Sequence, residues 1–175
     1  MIMIPDDALE RLLESSKIIG DQCEKLGVNQ WEVFATQGYG HSLDFEAGKI
    51  SMASGGGEGG FGLRVLEDGR YGFAHLVDPT GAERAVSEAI SIARKSPMIS
   101  GFELPSNQQS SPVGGMMDKE ILSLSPEDLL EQGDYVLTKV TELDSRAVAV
   151  GGGIGIGASA SSIVNSNGIE DGGLK

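Results

Sequence analysis

Phe61-Gly62-Leu63-Arg64-Val65-Leu66-Glu67-Asp68-Gly69-Arg70-Tyr71-Gly72-Phe73-Ala74 folds back on itself at Asp68-Gly69. A two-residue type I′ turn favours that dipeptide because both central residues need positive φ. Alternating residues flank it, so counting outward sets the register. Glu67 falls opposite Arg70, Leu66 opposite Tyr71, Arg64 opposite Phe73 and Gly62 opposite His75. The other face gathers Phe61, Leu63, Val65, Gly72, Ala74 and Leu76. It is wholly apolar and partly small, which predicts a helix packed on it.

Working outward, Asp78 is placed to cap a helix with Pro79 at its first position. Its stripe of Ala82, Ala85, Val86, Ala89, Ile90 and Ala93 ends before Pro97 and matches the small residues of the hairpin. Upstream, Trp31 to Ala35 reads as a strand. A hairpin at Ala47-Gly48 sets Phe45 against Ile50 and Leu43 against Met52, with Glu46 and Lys49 closing its tip. The glycine run from Gly55 to Gly60 reads as a flexible loop between the hairpins. The first helix is expected to be capped by Asp6, to bury Leu9, Leu12, Leu13, Ile19, Cys23 and Leu26, and to end at Gly27.

Residues 97–124 are rich in Pro, Ser, Gln and Gly and read as an irregular linker that includes Asn107-Gln108-Gln109-Ser110-Ser111-Pro112. Order resumes at Ser125-Pro126-Glu127-Asp128, a cap, a first-turn proline and two acids suited to a helix N-terminus. Leu129, Leu130, Val136, Leu137 and Val140 form its apolar stripe, and strands follow near Arg146 to Val150 and Ile154 to Val164. The predicted fold class is α+β, a largely antiparallel, twisted sheet with helices packed on one face. Three parts are expected: residues 1–96, an N-terminal unit of helix, hairpins and helix; the linker 97–124; and 125–175, a helix with strands that continue the sheet. Ile163 to Gly168 reads as a strand entering a turn, and the sheet is expected to continue into a C-terminal domain beyond residue 175.

The 175 residues carry 13 Lys and Arg against 26 Asp and Glu, a formal charge of -13. That balance argues against a phosphate-backbone partner, which basic side chains would have to bind. No nucleic-acid or membrane partner is expected. No run approaches the roughly 18 apolar residues of a membrane span, and the lone Cys23 fits a reducing, cytoplasmic setting.

Catalytic patterns are missing from the sequence. His41 and His75 lack metal-ligand spacing, and no Ser sits in a G-x-S-x-G elbow. The run Gly55 to Gly60 has no following Lys-Ser or Lys-Thr, and Glu58 opposes an anion. Gly153-Ile154-Gly155-Ile156-Gly157-Ala158 fits a loose dinucleotide fingerprint but leads into a strand-like alternation rather than a helix. Catalytic, cofactor-binding and metal residues are therefore all predicted as none. Arg64, Tyr71, Phe73 and His75, which share one face of the hairpin, are the candidate peptide or interface contacts.

Gly62-Leu63-Arg64-Val65, Asp68-Gly69-Arg70 and Gly72-Phe73-Ala74, with Glu46-Ala47-Gly48-Lys49-Ile50 before them and Val164-Asn165-Ser166-Asn167-Gly168 near the end, resemble the N-terminal domain of the TldD/PmbA family. The family carries a historical label as modulators of DNA gyrase. The resemblance implies a role in proteolysis or peptide maturation, with peptide or unfolded protein as substrate and a homodimeric or heterodimeric assembly. It also implies a zinc metallopeptidase motif, H-E-x-x-x-H, in the second half of one branch; the PmbA branch lacks it and partners the zinc-bearing subunit. No position here corresponds to that motif, so zinc is expected in the full-length protein or its partner. The linker looks more PmbA-like. Two functions follow: a domain that shapes the substrate cavity and subunit interface, or a non-catalytic peptide-binding or scaffold subunit.

Overall fold

The computed structural model describes residues 5, 7–106, 111 and 113–175. Helix α1 (Ala8–Lys25) leads into β1 (Gln30–Glu46), β2 (Lys49–Glu67) and β3 (Arg70–Leu76). A 3-10 turn (Pro79–Gly81) opens α2 (Ala82–Ala93), and the short α3 (Lys119–Ser123) precedes α4 (Pro126–Leu143), β4 (Gly151–Asn165) and β5 (Glu170–Leu174). The five strands form one sheet in the order β3-β2-β1-β4-β5, every neighbouring pair antiparallel. The α+β expectation holds, and the register read from Asp68-Gly69 is the observed one throughout.

Packing follows the residue pattern. Asp68 and Gly69 both adopt positive φ, 49° and 69°, as a type I′ turn needs. Phe61, Leu63, Val65, Ala74 and Leu76 are buried with Ala82, Ala85, Val86, Ala89 and Ala93 of α2 and Leu12, Ile19 and Cys23 of α1. The helix comes so close that a Cβ on Gly72 would stand 1.8 Å from the Ala89 carbonyl oxygen. Asp78 accepts a hydrogen bond from the Thr80 N–H at 2.9 Å, and Gly27 ends α1 at φ +78°. Asp6 lies outside the described residues. Asp7, at the helix start, makes no side-chain capping bond, while Ala8 N–H reaches the Pro5 carbonyl at 2.9 Å.

Among the strands, three expectations change. The run Gly55 to Gly60 is strand, not loop, because β2 continues unbroken from the tip hairpin and pairs with β1 from Gly60 opposite Thr36 to Gly55 opposite His41. Glycine does not favour strands, but the matching length of β1 supplies a ladder for it. At the tip, Phe45 faces Ile50 and Glu46 faces Lys49, but an extra residue in β2 shifts the ladder, so Leu43 faces Ala53 and Met52 faces Asp44. Arg146 to Val150 is not a strand: it crosses the tip with two backbone bonds, Gly48 N–H to Ala149 O at 2.8 Å and Ala47 N–H to Val150 O at 3.3 Å.

The sheet is longer than its main core. β2 alone spans roughly 60 Å at about 3.4 Å per residue, and α1 and α2 cover only its lower half. Above them β1, β2 and β4 continue as an arm. At its end α4 packs over Leu43 and Phe45 through Leu129 and Leu137, joined by Ile50, Ile154 and Ile156. Leu43 and Phe45 share parity with Trp31, Val33 and Ala35 on a strand that stays in register with β4, so α1, α2 and α4 cover the same face. Leu130 and Val136 of the expected stripe stay about 40% exposed, since only one turn-spaced row of α4 reaches the narrow arm. On the opposite face a segment after α2 crosses the base, where Asn165 Nδ2 donates to Pro105 O at 2.9 Å and Asn167 Nδ2 to Leu104 O at 2.7 Å.

Candidate functional site

Between the α1/α2 cluster and α4 no described element covers the helix-side face. Its floor comes from odd-numbered positions of β1, Gln37, Tyr39 and His41, each facing a glycine of β2: Gly59, Gly57 and Gly55. The two rings need those glycines. A Cβ on Gly57 would stand 3.1 Å from the Tyr39 ring, and one on Gly55 would stand 2.2 Å from His41 Nδ1, so both rings lie across the neighbouring strand. They meet edge to face, with centroids 5.4 Å apart.

Cavities open on both sides of Tyr39. One, about 660 Å³, lies between Tyr39, Gly59 and the wall made by Arg11 and Ser15 of α1 with Asp78. A smaller one, about 330 Å³, lies between Tyr39, His41 and the first turn of α4 at Pro126 and Leu129. Together they make a channel across the sheet, walled by helices and floored by rings and backbone. Each wall is fixed by a helix start. Hydrogen bonds from the Thr80 hydroxyl and then its N–H hold Asp78 below the ordinary carboxylate range. At α4 the Ser125 hydroxyl accepts from Asp128 N–H at 3.1 Å while Asp128 accepts from Ser125 N–H at 2.7 Å, a reciprocal capping box. The Ser125 hydroxyl, followed by its N–H, lowers the Asp128 pKa.

Arg64, Tyr71, Phe73 and His75 lie on the other face of the sheet. Register brings them together as expected, with Arg64 opposite Phe73. Arg64 also reaches the mostly buried Glu32 carboxylate at 3.6 Å, and Tyr71 packs against Phe102 with centroids 6.4 Å apart. Sequence reading missed Phe34, which shares this face and is 51% exposed, as is Phe73. It also passed over Tyr39. The available signal was the alternation Gln37-Gly38-Tyr39-Gly40-His41 set against a second glycine run.

Residues 31–93 match the family profile described as PmbA/TldA metallopeptidase domain 1. That stretch is similar to the first domain of TldD/PmbA-family proteins. An uncharacterized protein of Methanocaldococcus jannaschii is 29% identical over 163 residues, covering 93% of this chain and 35% of that protein. In fold, the chain superposes on TldE from Thermococcus kodakarensis with a TM-score of 0.77 at 23% identity, over 90% of this chain and 36% of that one. A Bacteroides thetaiotaomicron protein described as a candidate modulator of DNA gyrase gives 0.79 at 22% identity, over 98% and 39%. The chain thus spans little more than a third of the length of these relatives.

The metallopeptidase name of the family raises the question of a metal. Among the described residues, no three His, Cys, Asp or Glu side chains converge where they could hold one. Burial, and then the nearby Glu24, push the Cys23 thiol up to about 12, which leaves it protonated.

Proposed function

We propose that this domain serves a cytoplasmic TldD/PmbA-type protein of proteolysis or peptide maturation by shaping the cavity through which peptide substrate passes. The observation that carries the reading is the helix-walled channel centred on Tyr39, whose floor is aromatic rings and backbone rather than charged side chains. Such a floor suits an extended polypeptide, which offers backbone and alternating side chains rather than one rigid shape. Hydrolysis belongs to another region of the full-length protein or to a zinc-bearing partner.

The test uses the complete protein with any family partner. Tyr39→Ala is expected to lower turnover of an unstructured peptide about tenfold while leaving the melting temperature and zinc content unchanged. Unaltered turnover would refute the channel. Stoichiometric zinc with chelator-sensitive hydrolysis assigns the enzyme branch. Metal-free protein that gains activity only on mixing with a zinc-bearing family member assigns the accessory role.

A second surface supports that accessory role. Arg64, Tyr71, Phe73 and His75, with Phe34, form a half-exposed aromatic face suited to a subunit of the same family. Phe73→Ala is expected to weaken subunit association in sedimentation and to leave peptide affinity within twofold; the reverse outcome would make the face a peptide site.

A further inference from the structure

Among the described residues, both edges of the arm lack a partner strand, and that of β2 is the one that carries a charge. β3 pairs with β2 from Glu67 back to Phe61 and turns away after Leu76. Above that point, from Met52 to Gly60, β2 has β1 on one side and, among the described residues, no strand on the other. Its outward groups follow from parity. The residues flanking a two-residue turn exchange both hydrogen bonds, so Glu67 bonds to β3, as do Val65, Leu63 and Phe61 at every second position. Carried beyond the end of β3, the series runs Gly59, Gly57, Gly55. Their N–H and C=O groups point off the sheet, while those of Glu58 and Gly56 bond to β1. Exposed edges are usually guarded by Lys or Pro, yet Ile50 to Gly60 contains neither, and its one charge is Glu58.

We propose that this edge receives an extended polypeptide segment as an added antiparallel strand, opposite Gly59, Gly57 and Gly55, with a lysine or arginine opposite Glu58. The geometry sets what that segment looks like. Its residues facing Gly59 and Gly57, on either side of the basic one, project on the helix side, beside the Gln37 stem and the Tyr39 ring, so apolar side chains fit there. Its residue facing Glu58 projects on the opposite side toward an exposed carboxylate that has no ion-pair partner among the described residues. Apolar, basic, apolar is the alternation that results, and the -13 charge of the chain favours it. The free edge of β4 from Gly151 to Gly157 is as bare but offers no charge to select a guest. This inference rests on the peptide-handling reading and names the strand that holds the peptide.

The probe is a fluorescein-labelled, acetylated peptide Ser-Thr-Val-Lys-Val-Thr-Ser, titrated with the 175-residue chain and followed by anisotropy. Saturable binding is expected. N-methylation of both valines, whose N–H groups face the β2 edge, is expected to weaken it at least about tenfold, from two lost hydrogen bonds at about 1 kcal/mol each. N-methylation of the lysine, whose N–H faces solvent, is expected to change it less than twofold. Glu58→Gln is expected to weaken it about threefold at low salt and negligibly at high salt. Equal effects of both methylation patterns, no binding, or a dimer in sedimentation that the peptide does not dissolve would each overturn the proposal. If the complete protein still cleaves the peptide in those cases, the channel reading survives. Binding without cleavage by the complete assembly would instead refute the proteolytic reading and leave the edge.

Discussion

A methyl group on Gly72 would sit 1.8 Å from the Ala89 carbonyl and 2.7 Å from the Ala93 nitrogen, both backbone atoms of α2. Neither can move without lifting the helix. Gly72→Ala is therefore expected to cost about 2–3 kcal/mol in urea unfolding, as overpacking against backbone does; a loss below about 0.5 kcal/mol would mean that α2 is not seated on β3. Ala47 offers the opposite case. It holds φ +49° in the tip turn, where an L-residue with a Cβ is strained and Asn is more at ease. Ala47→Asn is expected to stabilise the chain by about 0.5–1 kcal/mol. The hairpin at Asp68-Gly69 was legible at this scale because two turn residues and a strict alternation fix every partner. Tyr39 was not: its role depends on a glycine 18 positions away, and only the ladder connects them.

Among the elements, α4 is the least anchored of the long helices. It buries only Leu129 and Gly133, and its capping box does much to hold its first turn against the channel. Ser125→Ala is expected to cost the helix about 1 kcal/mol and to raise amide exchange from Pro126 to Leu137 before any change in α1 or α2. Acid should act the same way. Asp128 has a lowered folded pKa, so its contribution is present above the unfolded value near 3.8 and is lost as pH falls through the lower folded value. Loosening of α4 should accordingly appear only below about pH 4, and Ser125→Ala should blunt that dependence. The helices were readable from caps and stripes. The strand Gly55 to Gly60 was not, because glycine carries no side-chain period and the run becomes strand only by pairing with β1.

At the scale of the molecule the sheet divides into a helix-covered base and a narrow arm with two bare edges. The base has the deep core, and the arm has rings, glycines and one small cluster under α4. Length and polarity of the strands beyond the core thus serve no evident structural end, which is why the function is placed on the arm. Amide exchange of the full chain, resolved residue by residue with and without the lysine-centred peptide, tests this most directly. Gly56 and Glu58 are expected to be protected in both conditions, whereas Gly55, Gly57 and Gly59 exchange freely alone and become protected when peptide is added. Uniformly fast exchange from Gly55 to Gly60, or peptide-induced protection confined to residues away from β2, would contradict the account.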